Sequence, residues 1–212
     1  MTLSPFKRST RPFLPLAGLS IALMLVFGLS SAVASAAENP RIKNEIVDLM
    51  LCYAEGADTF GEPGNPNAFT EGLEIYEGCF TEDAVFNLWP AGTDFNEAPP
   101  VTVVGPLAWA ENIVDPAVPR DPDTGLSISR GQHMLSNFMV DRTGRTATLT
   151  AYLNATRTIF DPNPANPASG TVTNVSVANG TYTLYVEKVR GKWVVNQLDL
   201  KLISLADYFS VD

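Results

Sequence analysis

Two periodicities divide this sequence. From Pro40 onward, Ile42, Ile46, Leu49, Met50 and Tyr53 recur every three or four residues, the spacing of one face of an α-helix. Asn39 before Pro40 is a start signal, and Gly56 marks the expected end. After a Gly- and Pro-rich loop, Phe69, Leu73, Tyr76 and Phe80 predict a second helix from about Ala68 to Phe80. Residues 84–89 and Val101 to Val104 read as short strands, and Gly105-Pro106 opens a helix from Leu107 to Val114. Asp115 to Gly125 holds three prolines and three aspartates and reads as a loop. From Gly131 the period changes to two. One strand runs to Val140 and a turn follows at Arg142 to Arg145; Thr146 to Ile159 then sets Ala147, Leu149, Ala151 and Leu153 against Thr146, Thr148, Thr150 and Tyr152. Beyond a loop at Asp161 to Gly170, Val175–Val189 and Trp193–Ile203 form a hairpin about Arg190-Gly191. Helices at one end and antiparallel strands at the other indicate an α+β fold, and a curved sheet wrapped by helices would enclose a pocket.

The first 37 residues stand apart. They contain no acid, carry Lys7, Arg8 and Arg11 ahead of an apolar run from Leu16 to Leu29, and end in Ala-x-Ala sites. That is the layout of a secretory signal peptide, and the run of about 14 residues falls short of the roughly 20 that a spanning helix needs. Residues 38–212 then form one domain, with export to the periplasm or medium expected. Removing three of the 14 basic residues leaves 11 against 23 acidic ones, a net charge of −12. Such a charge disfavours nucleic acid and anionic membrane surfaces as partners. Cys52 and Cys79 are an even pair in an oxidising compartment, expected to bridge the first two helices. They lack zinc-site spacing, there is one histidine, and no glycine-rich phosphate loop follows a strand; neither metal nor cofactor is expected.

The single histidine, His133, lies in the first period-two strand, where alternation places it with Leu135, Asn137 and Met139 on one face. An imidazole is the side chain best suited to move protons at neutral pH. A half-buried histidine satisfied by a backbone carbonyl fits the same position.

The stretches Ile46–Asp58, Phe80-Thr-Glu-Asp-Ala-Val-Phe86, Gly131-Gln-His-Met-Leu-Ser-Asn137 and Gly180–Trp193 resemble, in order, the SnoaL-like branch of the nuclear transport factor 2-like superfamily. The resemblance implies a cone-shaped, curved antiparallel sheet (a half-barrel) wrapped by about three N-terminal helices around an apolar cavity. Relatives include polyketide cyclases, scytalone dehydratase-like enzymes, a dehydrochlorinase, steroid isomerases and non-catalytic proteins, so fold does not fix function. In the dehydratase and dehydrochlorinase relatives an aspartate after the first helix pairs with a histidine early in the third strand; the matching positions are Asp58 and His133. A carboxylate on one imidazole nitrogen would set the tautomer and stabilise the imidazolium. The chain departs from these relatives in its longer loops, in the absence of a second histidine, and in the poor match of Lys188 to a basic residue late in the fifth strand.

Tyr53, Trp89, Trp109, Asn137, Tyr152 and Asn196 are further pocket candidates, with Tyr53 or Asn137 placed to bond an oxyanion; Asp199 is a possible second acid. Two readings follow. One is an exported, cofactor-free lyase or isomerase acting on a small hydrophobic ring or polyketide-like molecule. The other is a non-catalytic cavity protein that binds an apolar ligand or forms a homodimer through its sheet. For export, N-terminal sequencing of the extracytoplasmic protein is expected to start near Ala37 or Glu38, whereas an intact Met1 on a membrane-bound product would contradict it.

Overall fold

The computed structural model describes residues 39–162 and 170–209. The expected signal peptide and most of the loop at 161–170 lie outside the described residues. Helix α1 spans Pro40–Phe60. The Asn39 side chain accepts a hydrogen bond from the Arg41 amide at 3.1 Å, and Pro40 takes the first helical position, where its missing N–H costs nothing. The helix continues past Gly56, the end expected from sequence, so Asp58 belongs to its last turn and not to a loop. The reason lies in packing. Helix α2 (Ala68–Cys79) crosses α1 so closely that a Cβ at Gly56 would lie 2.4 Å from the Tyr76 ring, and one at Gly72 would lie 2.8 Å from Phe60. These glycines make room at a crossing. Near it, a disulfide joins Cys52 to Cys79 with Cα atoms 6.5 Å apart.

Strand β1 (Phe80–Trp89) starts earlier than its periodicity suggests and pairs with β2 (Val101–Val104). Helix α3 is short, Pro106–Trp109, and passes into a π-helical turn at Ala110–Val114 and a 3-10 turn at Asp115–Ala117. The long strands follow: β3 (Ser129–Thr143), β4 (Thr146–Phe160), β5 (Val172–Val189) and β6 (Lys192–Phe209). They build a curved, unclosed six-stranded sheet in the order β2-β1-β6-β5-β4-β3. The β1–β6 pair is parallel and the other pairs are antiparallel, so the sheet is mixed where an antiparallel one was expected. The β5–β6 turn has positive φ at both Arg190 (49°) and Gly191 (90°), the geometry that matches strand twist in a two-residue hairpin.

One face of the sheet meets the helices. Ala147, Leu149, Ala151 and Leu153 of β4, Tyr182, Leu184 and Val186 of β5, and Leu198 and Leu200 of β6 are buried there against Ile46, Met50, Tyr53 and Ala57 of α1. Aromatic rings tie the layers together. Tyr53 stacks on Tyr76 at 5.3 Å and meets Tyr182 edge-on at 5.0 Å, while Phe86 stacks on Trp109 at 5.0 Å.

Two tests follow from this packing. The bridge closes a loop with a sequence separation of 27, worth about 3–4 kcal/mol in the chain-entropy model. Replacing Cys52 and Cys79 together by Ala is expected to lower the melting temperature by on the order of 10 °C; an unchanged transition would show that the bridge contributes nothing. Burial pushes the phenols of Tyr53, Tyr76 and Tyr182 up, the last two well above the ordinary tyrosine range. Their unfolded-state counterparts ionise near pH 10, so stability is expected to fall as pH rises past about 10. Absorbance titration should show three of the six tyrosines ionising only with unfolding; smooth ionisation of all six before the transition would contradict the buried cluster.

Candidate active site

Strand β3 is the edge of the sheet, so alternate backbone N–H groups along it have no strand partner. The last turn of α1 passes over this edge, and Asp58 fills one gap. Its Oδ2 accepts from the His133 amide at 3.1 Å, and its Oδ1 lies 2.6 Å from His133 Nδ1. A Cβ at Gly131 would sit 3.1 Å from Asp58 Oδ1, so glycine there leaves room for the carboxylate. The approach is fixed beyond Asp58 as well: the Ser127 hydroxyl donates to the Gly61 carbonyl at 3.0 Å, and the Gly64 amide donates to Ser127 O at 3.2 Å.

An ionised Asp58 places the imidazole proton on Nδ1 and the lone pair on Nε2, which has no hydrogen-bond partner among the described residues. The His133 side chain is 14% exposed and that of Asp58 32%. The two look onto different spaces. His133 lines a cleft of about 350 Å³ with Leu153, Ala155, Ile159, Ala178, Tyr182, Leu200 and Leu202, an apolar wall at the lower end of the size range of small-molecule sites. Asp58 instead borders a shallow groove with Glu55, Glu62 and Arg130. The expected pairing is therefore not made inside the cavity: Asp58 stands behind the ring, because it reaches His133 from the sheet edge.

The face assigned to His133 also changes. A β-bulge between Ser136 and Met139, with Asn137 at φ 55°, shifts the register by one and exchanges the two faces. His133 and Leu135 therefore share the inner side with Phe138 and Val140, while Asn137 and Met139 are exposed.

The remaining candidates lie away from the cleft. Tyr53 is buried in the aromatic core, one ring removed from it through Tyr182. Trp109 is buried against Phe86. Trp89 is on the outer face, its Nε1 donating to Glu97 O at 3.1 Å beneath Lys201. Tyr152 is 48% exposed on that same face by strict alternation along β4. Asn196 occupies a bulge in β6 where the pairing with β5 shifts. Asp199 is buried on the outer face, accepting from Asn87 Nδ2 and Gln197 Nε2, each at 2.8 Å. Lys188 lies over Trp193, 5.5 Å from the ring.

Two cleft residues were missed in the sequence. Tyr182 links the cleft to the core, and Arg157 continues the apolar parity of β4 through Leu153 and Ala155. A charge on the apolar side of an alternating strand was the available signal.

Comparison with known proteins agrees with this architecture. No curated protein matches the chain in sequence. Among solved structures, a candidate aromatic ring hydroxylase from Novosphingobium aromaticivorans is 21% identical, with a TM-score of 0.55, over 80% of this chain and 95% of that one. A candidate scytalone dehydratase from the same organism is 18% identical at a TM-score of 0.52, over 82% and 91%. A hexachlorocyclohexane dehydrochlorinase from Novosphingobium barchaimii is 12% identical at 0.53, over 81% and 93%. At such identities the likeness is one of fold. Residues 41–199, from the first turn of α1 to β6, match the SnoaL-like domain, and the chain belongs to that family.

Proposed function

We propose that the protein is an exported, cofactor-free lyase or isomerase in which His133 is the base. The observation that carries this reading is the pair of bonds from one carboxylate to the His133 amide and Nδ1, with the other ring nitrogen left to an apolar cleft. Nε2 takes a proton from a carbon of a small, largely hydrophobic ring or polyketide-like substrate. Asp58 holds the ring in one tautomer and stabilises the imidazolium, an attraction strengthened where water is scarce. The proton then returns to another carbon, or to a departing hydroxyl that leaves as water. The dehydratase and dehydrochlorinase among the structural neighbours are named for eliminations of this kind. The Cys52–Cys79 bridge supports an oxidising destination. Exposed Met134, Tyr152 and Tyr185 on the outer sheet face support a homodimer through that surface.

The shared first step can be tested before a substrate is known. In deuterated buffer the protein is expected to catalyse exchange of the α-protons of 2-tetralone, a ring ketone small enough for the cleft. His133→Ala should abolish exchange, and Asp58→Asn should lower it by roughly 10²–10⁴-fold, with both variants melting within a few degrees of the parent. Exchange that continues unchanged in His133→Ala would remove the base. A parent protein that binds 2-tetralone without exchanging it would favour the non-catalytic cavity reading.

A further inference from the structure

The inner face of β4 brings one charge into the cleft. Leu153, Ala155 and Arg157 share a parity, and the pairing of β3 with β4 sets Ala155 opposite His133 and Arg157 opposite Gly131. His133 and Arg157 are therefore diagonal neighbours on one face, their backbone positions roughly 7–8 Å apart as in any antiparallel pair. Gly131 puts no side chain across from the arginine.

The guanidinium is half-buried and incompletely satisfied. Its Nη1 donates to the Ala117 carbonyl, its Nε is buried with no acceptor among the described residues, and no carboxylate there lies within ion-pair distance. The acid on the cleft wall, Asp207, is exposed and accepts from Ser176 Oγ at 2.5 Å. Burial pushes the Arg157 guanidinium down, and the charge of Asp58 opposes that shift; an arginine stays protonated in either case. The cleft thus holds a cation with spare donors beside the imidazole, and an anionic oxygen would satisfy those donors.

We propose that Arg157 binds the carbonyl oxygen of the substrate and stabilises the enolate formed when His133 removes the α-proton, so that the substrate class is a cyclic ketone or a related ring carbonyl compound. This rests on the reading of His133 as base. The C–H electron pair becomes the new C=C bond, the carbonyl π pair moves onto the oxygen held by Arg157, and the proton resides on Nε2 opposite Asp58. Collapse of the enolate returns the proton to carbon, or expels a β-hydroxyl that takes it up as water. His133 and Arg157 line the same cleft from neighbouring strands, so one small substrate can meet both side chains. The role that sequence placed on Tyr53 or Asn137 passes to Arg157, because neither of those residues reaches the cleft.

The test uses 4-nitrophenol, whose ionised form mimics an enolate and absorbs separately from the neutral phenol. Titrated with the intact protein at a pH where both forms are present, the bound ligand is expected to be enriched in phenolate. Arg157→Gln should weaken phenolate binding by about 10- to 100-fold relative to the neutral form, the range for a hydrogen bond to a charged group. Arg157→Lys should retain part of the preference, and His133→Ala should keep it, which separates oxyanion binding from proton transfer. In a crystal of the complex the phenolate oxygen should lie within hydrogen-bond distance of the guanidinium. Equal phenolate preference in Arg157→Gln, an oxygen turned away from Arg157, or no phenolate binding at millimolar concentration each overturns the proposal. Phenolate bound through Arg157 without any exchange of 2-tetralone would instead remove the base role of His133 and leave the oxyanion site standing.

Discussion

The carboxylate of Asp58 does two jobs at once at the edge of the sheet. By accepting from the His133 amide it satisfies a backbone donor that edge strand β3 would otherwise leave to solvent, and by accepting from Nδ1 it fixes the imidazole in one rotamer and one tautomer. The same two bonds hold α1 against β3, so helix placement and ring orientation are coupled. Everything that sets the angle of α1 bears on the ring: the Cys52–Cys79 bridge, the close crossing at Gly56 and Gly72, and the Tyr53–Tyr76 stack. A carboxylate on a flexible loop could make the same bonds but would lose more freedom in making them; the last turn of a helix anchored in this way has already lost it.

The sheet keeps two chemistries apart by parity. Its inner face is apolar and aromatic, and toward the open end it becomes the cleft wall carrying His133, Arg157 and Tyr182. Its outer face carries hydroxyl and amide contacts, with Thr150 beside Thr183 and Asn154 donating to Asn179, which donates in turn to Ser204. Asp199 belongs to this outer set. Its buried carboxylate is satisfied by Asn87 and Gln197, which accounts for it structurally and leaves it no path to the cleft.

Much of the fold was legible because its signals are local. The heptad-like spacing from Ile42 to Tyr53 and the alternation from Thr146 to Leu153 depend on residues two to four apart, and both elements stand where the pattern puts them. The errors came where packing overrode a local signal. Gly56 looks like a helix end and is a crossing point; the bulge at Asn137 reverses the face of every residue after it, which no alternation can reveal. Arg157 was legible in principle, since the strand from Thr146 to Ile159 puts it on the apolar parity, but alternation along one strand does not show what wall that face meets.

The order of the elements, the α+β class and a single imidazole on a strand can all be read from the order of residues alone. Through motif positions the sequence also named the carboxylate partner. It took the packed fold to put Asp58 behind the ring and not inside the cleft, Arg157 diagonal to His133, and Trp89, Trp109, Tyr152 and Asn196 elsewhere. The physical reason is separation along the chain. Asp58 and His133 are 75 residues apart, and their meeting depends on strand register, bulges and a helix crossing. Those features are fixed by the whole packed core and by no short stretch of chain within it.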